Sequence, residues 1–284
     1  MGAATVAEGY LLLPHPQYPG GLSQAVARDG DSTYHALQAT YIRHFPHAGT
    51  VQGAYTWGKL LSNTENTSSF QDGQGGIAVV QDNYNLKAER AVSEEDVANN
   101  LVVNYGVDLP FGHDEPYFSR IGRTANAVIG GWRVNGITKW RSGLPIALVA
   151  ASNGLSQFGA GAIRPNIALG CAKKAPGSAH SAARANEWFN TACFTQPGNF
   201  SFGNEPRVDP ALKADGEANF DVSINKSFEM TERVRLKFNT EIFDLFNHAQ
   251  FAEPNVNLAS PGFGQVENQA NLPRTIQFAL RLSF

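Results

Sequence analysis

The last ten residues, Thr275-Ile-Gln-Phe-Ala-Leu-Arg-Leu-Ser-Phe284, alternate between apolar and mostly polar side chains. One face of an extended strand would carry Ile276, Phe278, Leu280, Leu282 and Phe284. The other face would carry Gln277, Ala279, Arg281 and Ser283. Successive side chains of a strand point to opposite sides, so this period of two predicts a strand with two unlike faces.

Six further segments repeat the alternation, which gives seven predicted strands in all. They are Leu37–Tyr41, Val51–Trp57, Leu101–Leu109, Trp132–Arg141, Asn219–Phe228 and Val234–Glu241. The short Met230–Arg233 link predicts a hairpin between the last two of these segments. Lys226 is the one charged residue that interrupts the apolar row of Phe220, Val222, Ile224 and Phe228. Helical periodicity is hard to find, so the sequence predicts an all-β protein.

The connections between the predicted strands alternate between short and long. Phe45–Gly49 and Met230–Arg233 are tight turns, and Pro110–Ile129 is intermediate in length. The long connections are Ser62–Glu94, Ala151–Glu217 and Asn247–Pro273, which are rich in Gly, Asn, Ser and Pro. Strict alternation places all long loops at the same end of the sheet. Membrane β-barrels have this asymmetry, whereas three such loops are unusual in a compact soluble domain.

Composition excludes several other classes of protein. Hydrophobic residues make up 42% of the 284 residues, which argues against intrinsic disorder. The net charge is -3 and the basic residues are scattered, so we expect no nucleic-acid partner. The longest apolar stretch, Ile146–Ala151, is too short for a transmembrane helix. Met1–Gly9 has neither the basic start nor the apolar run of a secretory signal.

Alternation alone does not separate a soluble sandwich from a membrane barrel. In a sandwich the apolar face packs against a second layer, whereas in a membrane barrel it faces lipid and the polar face lines the lumen. Strand length, loop asymmetry and aromatic residues near strand ends favour the barrel. These aromatic residues are Tyr41, Trp57, Trp132, Trp140, Phe228 and Phe284. The lumen-facing candidates are then Arg133, Lys139, Arg141, Arg235, Lys237 and Glu241.

Several motifs, in order along nearly the whole chain, resemble the C-terminal barrel of Oar-like TonB-dependent outer-membrane transporters. The motifs are Ser32–Gln38, Ala54–Lys59, Asn85–Arg90, Tyr105–Gly112, Gly131–Gly136, Trp188–Thr191, Glu241–His248 and Pro273–Leu280. The resemblance implies an outer-membrane receptor that binds a substrate and takes it up with energy delivered by TonB. It also implies an antiparallel transmembrane barrel of about 22 strands with a plugged lumen.

The chain departs from that family by having about seven strands and no recognisable signal peptide, TonB box or plug. We therefore expect residues 1–284 to be the C-terminal portion of a receptor-like barrel, a fragment that contacts TonB only through parts outside it. An odd number of antiparallel strands cannot close a ring by itself. Outer-membrane lipid and the barrel-assembly machinery are the expected partners. The terminal strand, Ile276 to Phe284, resembles the signal that this machinery recognises by strand pairing.

No catalytic, cofactor or metal site is predicted. His44 and His47 flank a turn without further metal ligands, and Asp29–Asp31 and Gln71–Gly76 lack the residues of a specific calcium or phosphate loop. Cys171 and Cys193 lie in one long loop, and we hypothesise that they form a disulfide on the extracellular side. Two alternatives stay open: a passive pore or surface adhesin barrel, and a soluble all-β binding module.

Overall fold

The structure is a computed structural model that describes residues 15, 17–18, 29–46, 48–64, 80–82, 84–113, 115–155, 162–175, 181–231 and 233–284. The strands in this part of the chain are β1 (Ser32–Phe45), β2 (Gly49–Ser62), β3 (Ala91–Val92), β4 (Asn99–Asp108), β5 (Trp132–Arg141), β6 (Pro145–Ile146), β7 (Asn166–Ile167), β8 (Phe194–Thr195), β9 (Asp209–Lys213), β10 (Glu217–Glu229), β11 (Arg235–Phe243) and β12 (Thr275–Ser283). The helices are α1 (Arg123–Ile129), α2 (Ala182–Asn186) and a 3-10 turn at Thr191–Cys193. None of the helices in the described residues is long and apolar enough to cross a membrane.

The seven long strands form one antiparallel sheet in the order β1-β2-β4-β5-β10-β11-β12. They are the seven strands that the alternation predicts, and the hairpin between β10 and β11 is also confirmed. Their lengths of 9 to 14 residues match the roughly 9 to 11 residues that a tilted membrane strand requires. The predicted ends differ from the observed ones. Leu109 follows β4 and Val234 precedes β11, and both β1 and β2 extend well beyond the predicted segments.

All the long connections leave the sheet at one end, as the sequence predicts. Residues 46–48, 109–131 and 230–234 connect strands at the other end, which we call the turn end. Residues 63–98, 142–216 and 244–274 connect strands at the loop end. The strong asymmetry between the two ends is typical of outer-membrane barrels, which have short periplasmic turns and longer extracellular loops.

The sheet is open, and within the described residues β1 and β12 each have a neighbour on one side only. Both strands run from the loop end to the turn end. Five antiparallel strands lie between them, and an odd number of intervening strands gives the two outer strands the same direction. They therefore cannot pair with each other in the antiparallel manner of a membrane barrel.

The register of the ladders collects the predicted apolar rows on one face of the sheet. Leu37 lies opposite Trp57, and Leu236 lies opposite Leu282. The apolar face consists of Leu37, Ala39, Tyr41, Val51, Tyr55, Trp57, Leu101, Val103, Tyr105, Val107, Trp132, Val134, Trp140, Phe220, Val222, Ile224, Phe228, Leu236, Phe238, Ile242, Ile276, Phe278, Leu280 and Leu282. We call the opposite side of the same strands the polar face.

Every hydrophobic side chain of the apolar face is at least partly exposed. The fully buried hydrophobic side chains in the described residues all lie in the connections, and none belongs to a long strand. On the apolar face, Phe278 is 70% exposed, Leu280 69% and Tyr41 63%. A soluble sandwich would hide these residues in its core, so this face requires an apolar environment outside the chain.

The described parts of the three long connections fold together into a compact cap at the loop end, a finding that their turn-rich composition does not predict. The cap contains β3, β6 to β9 and α2, and its core is built around Ile146, Phe189 and Phe194. The ring of Phe189 packs edge-on against Phe194 at 5.7 Å and against Phe263 at 5.2 Å. Each apolar segment of the cap is only a few residues long, so periodicity carries no signal for it.

A disulfide joins Cys171 and Cys193 within the cap, with the two Cα atoms 5.6 Å apart. Closing a loop of this length stabilises a folded state by about 3 kcal/mol in the chain-entropy model. We predict that denatured protein shows no reactive thiol before reduction and two afterwards, measured by maleimide labelling and mass. The Cys171→Ala/Cys193→Ala double variant should lose a similar free energy of cap unfolding. Two thiols that react before reduction would contradict the bridge.

Candidate functional site

The polar face carries all six charged residues that the sequence predicts as lumen-facing. Arg133, Lys139 and Arg141 lie on β5, and Arg235, Lys237 and Glu241 lie on β11. The ladders through β10 place all of them on the same side of the sheet, opposite the apolar face. The structure does not bring them to one point, because it divides them between the turn end and the loop end.

At the turn end, the polar face is rich in positive charge. Arg133 pairs with Asp108 at 2.9 Å, and Arg235 pairs with Glu229 at 3.1 Å. Lys237 lies directly opposite Arg281 in the β11–β12 ladder. Neither of these two has an ion-pair partner in the described part of the chain. Like charges directly opposite one another destabilise a sheet, so this end of the polar face is suited to an anionic partner.

At the loop end, charges are shared across strands. The carboxylate of Glu217 forms ion pairs with both Lys139 at 3.0 Å and Arg141 at 2.8 Å. Glu241 accepts hydrogen bonds from the amides of Asn239 and Gln277. Both basic side chains are well exposed, so these pairs contribute little stability and mainly orient the side chains.

Next to these pairs lies a rim cavity of about 780 Å³ between the ends of β10 to β12 and the third long connection. Its wall contains a network centred on two aspartates. Asp221 accepts the backbone N–H of Asp244 at 3.0 Å, and Asp244 accepts the side-chain amide of Asn271 at 3.2 Å. Phe243 and Phe251 add apolar surface to the same wall. A concave site with a few fixed polar groups and some apolar surface is a typical place for ligand binding.

The sequence did not predict this cavity, although one of the quoted motifs contains residues that line it. β11 ends at Phe243. Asp244 and Asn247 then adopt positive φ angles of 52° and 53°, a conformation that Asp and Asn tolerate well. The Glu241–His248 motif contains both residues. Their partners Asp221 and Asn271 lie far from the motif in the sequence, so the motif gives no indication of the network.

Lys226, the break in the apolar row, is satisfied by the backbone. Its ammonium donates to the carbonyl oxygens of Gly130 at 2.5 Å and Val128 at 3.1 Å, at the C-terminal end of α1. The rings of Trp132 and Phe228 lie 5.1 Å from it. Free carbonyls at a helix C-terminus attract cations, and the residue is only 3% exposed. The apolar face therefore exposes almost none of this charge.

Two buried charged groups tie the cap together and to the sheet. Arg164 makes a two-pronged ion pair with Glu89, and Arg207 donates to the carbonyls of Glu89 at 3.0 Å and Ser62 at 2.7 Å. Ser62 is the last residue of β2, so these contacts join two long connections to the sheet. Removing one partner of such a buried pair leaves an uncompensated charge and is strongly destabilising.

The second group joins Lys173 to the buried carboxylates of Glu205 and Asp209. Burial raises the pKa of Glu205 to about 8, and the hydrogen bond and negative charge of Asp209 add to the effect. The charge of Lys173 opposes this shift only in part. Glu205 is therefore mostly protonated near neutral pH, and its Oε2 atom has no hydrogen-bond partner among the described residues.

Within the described residues, no group of three or more His, Cys, Asp or Glu side chains is arranged to hold a metal ion. The His44 ring lies 2.9 Å from the hydroxyl of Thr50, whereas His47 lies outside the described residues. Gln71–Gly76 also lies outside them, and Asp31 pairs with Arg90.

Comparison with known proteins agrees with this geometry. A family model described as an outer membrane beta barrel domain matches residues 1–277. No curated protein and no solved structure matches the chain. The exposed apolar face, the antiparallel meander and the one-sided long loops are those expected of such a barrel. The chain belongs to the outer membrane beta barrel domain family and is a β-barrel protein of the cell outer membrane.

Proposed function

We propose that the chain is the C-terminal part of the barrel of an Oar-like TonB-dependent receptor, which binds a substrate and takes it up across the outer membrane. The observation that carries this proposal is the direction of the two edge strands. Because β1 and β12 run the same way, an odd number of further strands must lie between them to complete an antiparallel ring. The complete barrel is then larger than this sheet, as it is in plugged receptors of about 22 strands.

The charges of the polar face support a filled lumen. Lys237 and Arg281 lie directly opposite each other at the turn end. An acidic surface of a plug domain would pair with these cations directly, whereas water and dissolved ions only screen their repulsion. We propose that the polar face lines the lumen and contacts such a plug there.

The rim cavity supports substrate contact at the opposite end. It lies beside the long connections, which are extracellular in barrels of this kind. In this proposal, the carboxylates of Asp221 and Asp244 and the amide of Asn271 form the polar wall that a substrate in the cavity would contact. In this proposal the protein has no enzymatic activity, requires no cofactor and binds no nucleic acid.

Further partners follow from the same proposal. The exposed β12 strand would pair with the barrel-assembly machinery during insertion, with its apolar row from Ile276 to Phe284 facing lipid. TonB would act through segments outside these residues.

Conductance in planar bilayers tests the proposal against a passive pore. The complete receptor that contains this chain, extracted from the outer membrane in mild detergent, should show heat-modifiable migration and little steady conductance, because a plug fills the lumen. The coding sequence upstream of Met1 should contain a plug and a TonB box. A wide, persistent conductance would favour a passive pore, and a silent barrel without upstream plug sequence would favour an adhesin.

A further inference from the structure

A second cavity, of about 600 Å³, opens on the apolar face at its loop end. We call it the apolar-face groove; β1, β2 and β9 line it together with the segment around Asp96. Leu37 and Trp57 lie directly opposite each other in the β1–β2 ladder and are each 59% exposed. Their side chains belong to the face that contacts lipid in this family, so the groove opens toward the bilayer.

The other side of the groove is basic. His35 and Lys59 lie opposite each other one row nearer the loop end than Leu37 and Trp57, and β9 contributes Lys213. Same-face rows are about 7 Å apart along a strand. Neither Lys59 nor Lys213 has an ion-pair partner in the described part of the chain.

The only carboxylate among the described lining residues is that of Asp96. This side chain is 5% exposed, and its Oδ1 atom accepts the backbone N–H of Leu60 at 2.7 Å. The carboxylate of Asp96 is therefore used within the fold and forms no ion pair with Lys59 or Lys213. The groove therefore combines an apolar side with two unpaired ammonium groups.

We propose that the apolar-face groove binds the phosphate-bearing headgroup of an anionic outer-membrane lipid. The phosphate accepts hydrogen bonds from Lys59 and Lys213, and the acyl chains lie along Leu37 and Trp57. Basic pockets at the membrane surface bind anionic headgroups in this way, and Trp side chains prefer the same depth. The basic row lies nearer the loop end and the apolar row lies further from it. This order matches that of the headgroup and the acyl chains in a lipid.

The position of the groove favours a lipid over other occupants. A soluble anion would use the lysines but would leave Leu37 and Trp57 without a role. A further barrel strand would pair with the edge of β1 that faces away from β2, whereas the groove lies over β1, β2 and β9. The inference requires only the outer-membrane barrel and is independent of the receptor proposal.

Native mass spectrometry of the protein, extracted from the outer membrane and delipidated in neutral detergent, tests the site. The probes are phosphatidylglycerol, diacylglycerol with the same chains, and inorganic phosphate. We expect phosphatidylglycerol to bind at least about tenfold more tightly than diacylglycerol or inorganic phosphate, because only phosphatidylglycerol carries both a phosphate and acyl chains.

The Lys59→Gln/Lys213→Gln variant should lose about tenfold in affinity for phosphatidylglycerol, and Lys59→Arg/Lys213→Arg should retain it. Lys87→Gln is the matched control, since Lys87 is an exposed cap lysine outside the groove. Heat-modifiable migration verifies that each variant is folded. Unchanged binding in the double glutamine variant overturns the proposal. Equal competition by inorganic phosphate also overturns it, because the site would then be one for soluble anions.

Discussion

An arginine in place of Ile224 is expected to reduce the folding free energy of the barrel in lipid vesicles by about 2 to 4 kcal/mol. Ile224 lies near the middle of β10 on the apolar face, between Val134 and Thr240 of the neighbouring strands. At this depth a guanidinium must be dehydrated or must distort the bilayer. The expected loss depends directly on contact between this face and hydrocarbon.

The adjacent Ser223→Arg variant is the matched control. Ser223 lies on the polar face, where Glu241 and Asn135 are its cross-strand neighbours, so a new cation there gains an acidic partner. We expect it to change stability by less than about 1 kcal/mol. Urea titration of both variants in vesicles, followed by tryptophan fluorescence, gives the comparison. Equal tolerance of the two substitutions would contradict a lipid-facing apolar face.

Raising the pH should loosen the cap before it affects the sheet. The pKa of Glu205 is raised to about 8 in the folded protein from an ordinary value of 4.5, so the folded cap binds the proton more tightly than the unfolded cap. The stabilisation that the proton on Glu205 gives the folded cap is complete below about pH 4.5 and is lost as the pH rises through about 8. Between about pH 6 and pH 8 we expect the cap to lose roughly 2 kcal/mol against local opening.

Hydrogen exchange of cap peptides, measured at several pH values and corrected for intrinsic exchange rates, reports this opening. Glu205→Gln retains the shape of the protonated side chain, and Lys173 can still pair with Asp209. The variant should therefore show a nearly flat profile and a more stable cap than wild type at pH 8. A wild-type profile that is equally flat, or that rises with pH, would contradict the burial of a protonated Glu205.

The strands were predictable because alternation is a local property. Each of the seven long strands, from Leu37–Tyr41 to the terminal Ile276–Phe284, shows its two faces within a few residues of sequence. The six charged candidates of the polar face were found in the same way. Family membership confirms the outer-membrane barrel that this pattern and the loop lengths favoured.

The rim cavity and the cap were not predictable, because their contacts join residues far apart in the chain. Glu89 and Arg164 are separated by 75 positions, and Ser62 and Arg207 by 145. Asp221 and Asp244 meet only because β10 and β11 pair and β11 ends at Phe243.

By itself the sequence determined which side chains share the apolar face and which share the polar face, since a period of two depends only on backbone geometry. Only the tertiary structure decided that the long connections form a cap with its own core, that the ammonium of Lys226 donates to carbonyls at the end of α1, and that Lys59 and Lys213 line one groove. Each of these depends on the register between distant segments, which no local pattern encodes.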